Sequence, residues 1–140
     1  MGIPAEAKAI LEERFGGDSI IALATADGTR PYVRYVDAYY DAGSFFVLTH
    51  KLSGKMQQIL QNPAVSVAGD WFTASGTGVD LGWFLRPENA AIAARMRQVF
   101  AGWIDNGHNN FEDENTIILQ IRLTEGVLFS NGKRFDLVFE

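Results

Sequence analysis

The spacing of apolar and polar positions changes along the chain, and each change predicts a new element. In residues 4–15 the apolar side chains recur at helical spacing, with Pro4 suited to a first turn and Gly16-Gly17 suited to an end. We predict an amphipathic helix there. Short apolar or aromatic runs follow, separated by turn sequences such as Asp27-Gly28. These runs predict a meander of three strands over residues 19–25, 31–40 and 44–48.

The middle of the chain predicts a short helix and two more strands. Residues 55–60 lack glycine and proline, follow Ser53 as a candidate cap, and end before Asn62-Pro63, which is typical of one short helix. Residues 64–68 and 71–83 read as strands. The second contains Gly76, Gly78 and Gly82, which indicate a bulge or a close backbone approach.

The last third predicts a longer helix followed by a closing hairpin. Pro87 opens a segment with a helical apolar stripe, and we predict that this helix continues to about Ile104. Residues 116–123 alternate apolar and other side chains, as in a half-buried strand. The turn Asn131-Gly132 then joins a strand over residues 127–130 to one over residues 134–139.

This order of elements predicts a mainly β protein with short flanking helices. About seven strands are joined mostly by tight turns, and no βαβαβ alternation supports a doubly wound parallel sheet. An antiparallel barrel fits best. We expect residues 1–140 to form one domain, because the sequence contains no internal repeat and no low-complexity linker.

Composition narrows the classes of function. Hydrophobic residues make up 47% and charged residues 21% of 140 residues, and the formal net charge of −5 argues against nucleic acid as a partner. The absence of cysteine excludes thiolate catalysis, and two isolated histidines, His50 and His108, argue against a metal centre. No apolar run is long enough to span a bilayer and no signal-peptide pattern opens the chain, so we expect a cytoplasmic protein.

One segment combines the groups that hold an anion. The strand ending in Thr49 leads through Ser53 to Lys55 at the start of the predicted short helix. Helix N-terminal amides, two hydroxyls and an ammonium group together suit a terminal phosphate. The alternative is that Ser53 only caps the helix, while Lys51 and Lys55 form a solvated pair one helical turn apart.

Arg34 is the second unusual charge. It lies between Val33 and Tyr35 in a strand dominated by apolar and aromatic side chains, so its guanidinium needs a partner. Asp37 is the nearest carboxylate, but alternate strand residues share a face, and this places Arg34 and Asp37 on opposite faces. The pattern favours a bound ligand as the partner.

Two other segments resemble known binding motifs, but the spacing of their residues does not match those motifs. The glycine-rich residues 75–82 depart from the GxGxxG pattern and are not followed directly by a helix, which favours close strand packing. The acidic loop of residues 105–114 lacks the alternation of a calcium-binding loop, so we interpret it as solvated surface, with His108 exposed.

The order of these features resembles the pyridoxamine 5'-phosphate oxidase-like family. The resemblance is clearest between Ile20 and Ala68 and covers about a third of the chain well. In chain order it is carried by Arg34, Phe46-Val47-Leu48-Thr49, Ser53, Lys55 and Asn62-Pro63. It implies an antiparallel split β-barrel of the FMN-binding type.

The resemblance also implies which residues bind FMN and how the protein assembles. The implied phosphate ligands are Arg34, Ser53 and Lys55, with Thr49 beside them. The residues implied to lie near the flavin ring are Tyr35, Val36, Leu48 and His50. Because the family's flavin lies between two subunits, a homodimer is implied, with Trp71, Trp83 and Trp103 as candidates for contact across it.

The C-terminal hairpin departs from the family's vitamin-oxidising members. Ser130 stands where a tryptophan is expected, and Arg134 matches only loosely the arginine that grips pyridoxal phosphate. Oxidation of pyridoxamine phosphate is therefore not expected. The chain is more similar to the short members described as general-stress proteins or as reductases of small acceptors.

Two classes of function follow. The first is an FMN-dependent oxidoreductase that passes electrons from a reduced donor to a small acceptor, in which the flavin supplies the chemistry and no catalytic side chain is expected from sequence. The second is a non-catalytic flavin or haem binder. A deazaflavin-dependent reductase has thinner support, since only Lys51 adds positive charge near Lys55, and a cofactor-free interaction domain stays open.

Overall fold

The computed structural model describes residues 2–140, which form three α-helices, one 3₁₀ turn and seven strands. The helices are α1 (Ala5–Phe15), α2 (Gly54–Gln61) and α3 (Ala90–Val99), the last preceded by the 3₁₀ turn Pro87–Asn89. The strands are β1 (Ser19–Asp27), β2 (Arg30–Asp41), β3 (Ser44–His50), β4 (Ala64–Gly69), β5 (Phe72–Trp83), β6 (Thr116–Ser130) and β7 (Lys133–Val138). Among residues 2–140 no helix is long and apolar enough to cross a membrane.

The sheet closes into a barrel. Its strand order is β3-β2-β1-β4-β5-β6-β7, and a further pairing of β3 with β6 joins the ends of the first six strands. That seam runs in antiparallel register from Ser44 opposite Arg122 to His50 opposite Thr116. β7 pairs with β6 outside the closed ring. The predicted antiparallel split barrel with flanking helices is confirmed.

The barrel has two ends, which are named here by the helix that lies at each. At the α1 end β1 begins at Ser19, and the turn Asp70-Trp71 between β4 and β5 lies nearby, since Ala22 pairs with Ala68. At the α2 end β1 finishes at Asp27 and α2 packs against it.

The buried apolar side chains form two clusters. The first fills the barrel with inward-facing strand residues, and both α1 and α2 pack against it. The second lies outside β2 and β3, where Tyr39 and Phe46 stack beneath Met96 and Phe100 of the α3 region. The segment between β5 and β6, which contains α3, therefore packs its apolar side chains against the outer faces of β2 and β3.

The helix predicted from Pro87 to about Ile104 is wrong in its length. It ends at Val99, because Phe100 leaves the helical region with φ −98° and ψ 22°. Gly102 follows directly in a run of turns, and glycine is a poor helix former. Phe100 and Ile104 are nevertheless fully buried, so the apolar stripe reflects burial beyond the helix.

The break predicted between residues 123 and 127 is also wrong, because β6 is one continuous strand. Ser75 pairs with Glu125 and Gly76 pairs with Leu123, which leaves Thr124 as an extra residue opposite β5. Such a bulge bends a strand without ending it. The residues between the two predicted strands therefore bend β6 as it passes from the seam to β7.

Two glycines mark close approaches at opposite ends of the barrel. A Cβ on Gly78 of β5 would lie 2.8 Å from Cγ2 of Ile59 in α2. A Cβ on Gly69 would lie 2.7 Å from the ring of Phe15 in α1. The predicted close backbone approach within β5 is confirmed at Gly78, and it lets α2 lie tightly on the barrel.

Candidate functional site

Ser53 precedes α2 but does not cap it through its side chain. It has extended backbone angles, φ −65° and ψ 155°, and its hydroxyl makes no hydrogen bond to the amides of the first turn. Its Oγ is buried and has no partner among the described residues. A buried hydroxyl without a partner is costly and uncommon in native proteins, and at the start of α2 it is a donor that could meet an anion.

Lys55 turns back toward β3. Its Nζ donates a 2.8 Å hydrogen bond to Oγ1 of Thr49, and its side chain is half-buried. Lys51, by contrast, is about half exposed and lies 3.9 Å from a carboxylate oxygen of Asp80. The alternative of a solvated Lys51–Lys55 pair is therefore wrong, because the two ammonium groups have different environments.

Arg34 lies on the inner face of β2, at the α2 end. Its Nη1 donates to the carbonyl of Leu23 at 3.2 Å and to Oγ1 of Thr25 at 2.7 Å, and its Nη2 donates to Oε1 of Gln58 at 3.2 Å. All three acceptors are uncharged. Among residues 2–140 no ion pair joins Arg34 or Lys55 to a carboxylate.

The predicted separation of Arg34 from Asp37 is confirmed. Asp37 lies on the outer face of β2, where its pKa is raised by burial and then by the charge and hydrogen bond of Asp18. Asp18 in turn accepts a 3.0 Å hydrogen bond from the indole of Trp103. The carboxylate nearest in sequence is thus unavailable to Arg34.

Two like charges face each other at the α2 end. Burial lowers the pKa of Lys55, and the positive charge of Arg34 lowers it further. Burial also lowers the pKa of Arg34, although a guanidinium stays charged at neutral pH. We call the six residues that gather here the anion cradle. They are Thr25, Arg34, Thr49, Ser53, Lys55 and Gln58.

The sequence pattern identified Arg34, Thr49, Ser53 and Lys55 but missed Thr25 and Gln58. Thr25 is a buried polar residue at the end of β1, exposed by only 3%. Gln58 lies one turn into α2, and its Oε1 accepts from both Thr25 and Arg34. A polar residue on the buried face of an otherwise apolar strand was the signal that could have found Thr25.

The other predicted residues lie around the cradle on different faces. Val36 is buried inside the barrel, whereas Tyr35 is 80% exposed on the outer face of β2. Leu48 and His50 point to the outer side of β3. His50 accepts from the amide of Leu52 at Nδ1, which places its proton on Nε2, 3.0 Å from Oδ2 of Asp113. Of the predicted set, the structure brings together the four residues implied to bind phosphate, whereas Tyr35, Leu48 and His50 lie on the outer faces of β2 and β3.

The three tryptophans differ in how they are held. The indole of Trp83 donates to the carbonyl of Phe111 at 2.8 Å, and that of Trp103 donates to Asp18. Trp71 is 70% exposed in the β4–β5 turn, where it meets Phe129 edge to face with ring centres 6.2 Å apart. Trp71 is therefore the one with a large surface open to solvent.

A shallow apolar groove of about 570 Å³ crosses the outside of the barrel. Its floor is made of small side chains from neighbouring strands, among them Ala22, Ala24 and Ala68. Val33 rises at its edge and is 70% exposed. The groove lies on the opposite side of β1 and β2 from the barrel interior.

The acidic loop and the glycine-rich segment are structural. Residues 75–82 lie within β5, where close packing explains Gly76 and Gly78 and a left-handed φ of +86° explains Gly82. Asp105 forms an ion pair with Arg97 at 2.5 Å, and His108 is exposed. Within residues 2–140 no group of three or more histidines and carboxylates could hold a metal ion.

Comparisons with known proteins identify the fold. No protein-family model and no curated protein matches the sequence. A protein of Listeria innocua predicted to be a pyridoxamine 5'-phosphate oxidase is 16% identical with a TM-score of 0.63, over 86% of this chain and 93% of that one. An FAD-binding protein of Mesorhizobium loti is also 16% identical, with a TM-score of 0.66 over 90% and 94% of the two chains.

The fold is shared by proteins with different cofactors. A haem-binding protein of Mycobacterium smegmatis is 14% identical with a TM-score of 0.63, over 87% of this chain and 53% of that one. At these identities the likeness concerns the fold alone. The chain has the split-barrel fold of pyridoxamine 5'-phosphate oxidase-like proteins, as the resemblance implied.

Proposed function

We propose that this protein binds FMN, with the terminal phosphate in the anion cradle, and works as an oxidoreductase. The observation that carries the proposal is the pairing of Arg34 with Lys55 at a site where neither has a carboxylate partner among residues 2–140. Half-buried like charges are unfavourable unless an anion lies between them. The orphaned hydroxyl of Ser53 supplies a further donor beside them.

The donor set fits a phosphate monoester. A guanidinium, an ammonium group, a hydroxyl and the amides at the start of α2 match the several acceptor oxygens and double charge of such a group. Haem carries propionate carboxylates, each with two acceptor oxygens and a single negative charge, so it matches this donor set less fully than a phosphate monoester does. Lys51, the one additional cation that the sequence offered for the longer acidic tail of a deazaflavin, lies 3.9 Å from a carboxylate oxygen of Asp80 and so already has a partner.

When bound, a flavin supplies the redox chemistry by accepting and passing on electrons. The chain's own part is then to bind, orient and shelter it. Arg34, Lys55 and Ser53 hold the phosphate, and Thr49 orients Lys55 through its hydroxyl. By the resemblance, Tyr35, Val36, Leu48 and His50 lie near the ring. The exposed Tyr35 leaves that region open to a second chain.

We further propose that the protein is a homodimer that shelters the flavin between two chains. Ile20, Val33 and Tyr35 are 66%, 70% and 80% exposed on adjacent strands, and the groove of small residues adjoins them. Contiguous apolar surface of this kind is typical of an interface. Sedimentation of the purified protein at two concentrations tests the dimer, and a monomer at both would contradict it.

The direct test of the cofactor is an absorbance spectrum of the purified protein, followed by mass identification of the molecule released by heat. Flavin bands and released FMN support the proposal. A Soret band would identify haem instead, and a colourless protein that also fails to bind added FMN would overturn the proposal. Turnover with a reduced nicotinamide and a small acceptor then separates an oxidoreductase from a non-catalytic flavin binder.

Lys55→Ala tests the phosphate site itself. We expect it to weaken FMN binding by about 1–3 kcal/mol, the scale of a lost charge-assisted hydrogen bond. Titration by flavin fluorescence quenching measures the change. Lys51→Ala is the matched control, because it removes the same charge a few residues away at an exposed position and is expected to leave the affinity within about twofold. Equal losses in both variants would contradict the assignment.

A further inference from the structure

Arg34 has a limited set of N–H groups left for a ligand. A guanidinium carries five N–H donors in a fixed plane. Two protons of Nη1 are used by Leu23 and Thr25, and one proton of Nη2 is used by Gln58. The Nε–H and the second Nη2–H have no partner among the described residues. These two donors form one edge of the plane and are parallel, the arrangement that binds a phosphate through two oxygens.

Three of the hydrogen bonds form a closed triangle. The Thr25 hydroxyl accepts from Arg34 and donates to Oε1 of Gln58, and the same Oε1 accepts from Arg34. Because both neighbours of that atom are donors, it must be the amide oxygen and not the nitrogen. Thr25 comes from β1, Arg34 from β2 and Gln58 from α2, so the triangle ties three elements together.

We propose that Thr25 and Gln58 are positioning residues that select phosphorylated flavin by fixing the free edge of Arg34. The inference rests on the proposed function, since it concerns the same phosphate. A long arginine side chain loses much rotamer freedom when it is ordered. The triangle imposes that order before the ligand arrives, so less of the interaction with phosphate is offset by the ordering of Arg34.

Selectivity against riboflavin is the measurable consequence. Riboflavin has the same ring and no phosphate, so a defect in aiming Arg34 weakens FMN binding and leaves riboflavin binding unchanged. A general loss of barrel structure weakens both. The ratio of the two affinities therefore separates a positioning role from a structural one.

Four variants of the full-length protein make the test, with FMN and riboflavin titrated into each. Thr25→Val keeps the shape and removes the hydroxyl, Thr25→Ser keeps the hydroxyl, and Gln58→Ala removes the shared acceptor. Gln61→Ala is the control, because Gln61 is exposed on the same helix. We expect Thr25→Val and Gln58→Ala to lower the FMN to riboflavin affinity ratio about tenfold, the scale of one hydrogen bond to a charged group. Thr25→Ser and Gln61→Ala should keep it.

The outcomes also separate this inference from the proposed function. If the unmodified protein binds no FMN, both are overturned. If it binds FMN tightly while Thr25→Val and Gln58→Ala leave the ratio unchanged, the FMN site stands and the positioning role is wrong. Should either variant fold poorly, nitrogen-15 NMR of the unmodified apoprotein still decides: separate, slowly exchanging Nη signals for Arg34 support the fixed guanidinium, and averaged signals contradict it.

Discussion

The two ends of the barrel hold their charged groups in different ways. At the α1 end Arg14 donates to the carbonyls of Asp70 and Phe129 at 2.8 and 3.3 Å, and Lys133 pairs with Glu6 at 3.3 Å. At the α2 end Arg34 and Lys55 meet only uncharged acceptors and each other's positive charge. Cations at the first end link parts of the fold, whereas those at the second end form a pair without a carboxylate partner among residues 2–140.

This difference shows which features of an arginine indicate a binding site. Arg14 and Arg34 are both half-buried, and both donate to backbone carbonyls. What separates them is the neighbourhood, where a second cation and the orphaned hydroxyl of Ser53 accompany only Arg34. Several groups that lack partners at one place indicate a ligand better than the burial of any one charge.

The largest effect is expected from a matched pair of arginine variants. Arg34→Ala should weaken FMN binding by about 3 kcal/mol, because it removes a charged bidentate donor. Arg14→Ala should leave FMN binding unchanged and lower the free energy of unfolding by about 1 kcal/mol, since its two carbonyl partners lose a donor. Fluorescence titration and urea unfolding of both variants measure the two effects. A similar loss of FMN affinity in both would remove the distinction between the ends.

A second pair of variants replaces the two glycines that lie close to helix side chains, Gly78 and Gly69. Gly78→Ala pushes against Ile59 of α2, and Gly69→Ala pushes against the ring of Phe15 under α1. Each should lower the free energy of unfolding by about 1–3 kcal/mol through overpacking. Because α2 carries Lys55 and Gln58, only Gly78→Ala should also weaken FMN binding. Urea unfolding and FMN titration decide, and an FMN defect in Gly69→Ala would show that the ends are coupled.

The smallest effect concerns a pair of neighbouring carboxylates at the α1 end. Burial, followed by the charge and hydrogen bond of Asp18, raises the pKa of Asp37 above its ordinary 3.8. A carboxyl group with a raised pKa contributes stability that is present below the unfolded-state pKa and lost as pH rises through the folded-state pKa.

Asp37→Asn should therefore stabilise the protein near neutral pH by about 0.5 kcal/mol after screening by solvent. The gain should disappear below the ordinary carboxyl pKa of 3.8, where Asp37 is protonated in both the folded and the unfolded chain. Thermal melts over this pH range test the prediction. A gain that is independent of pH would mean that Asp37 acts through packing and not through its charge.

Local pattern predicted the elements that depend on neighbouring residues. The helix up to Phe15, the hairpin at Asp27-Gly28 and the closing hairpin at Asn131-Gly132 follow from spacing and turn residues. The same is true of Thr49, Ser53 and Lys55, which lie within a single strand-to-helix connection. Arg34 was identified because a charged residue in an apolar strand needs a partner wherever the strand lies in the fold.

What the sequence could not predict depends on distant residues. Thr25 and Gln58 are 33 positions apart, and although Thr25 is a polar residue on the buried face of its strand, nothing in either segment pairs it with Gln58. The bulge at Thr124 exists because β5 pairs with both halves of β6. The end of α3 at Val99 depends on how the chain after it folds over the outer apolar cluster, which overrides helical periodicity.

The seam between β3 and β6 distributes the cost of folding unevenly along the chain. Hydrogen bonds within the anion cradle span 6 to 33 residues, whereas the side-chain bond of Gln120 to Ser44 at the seam spans 76. The chain entropy lost on closing a loop grows with its length. Closing the seam therefore costs more chain entropy than assembling the binding end, which is built from one continuous stretch of about a quarter of the chain.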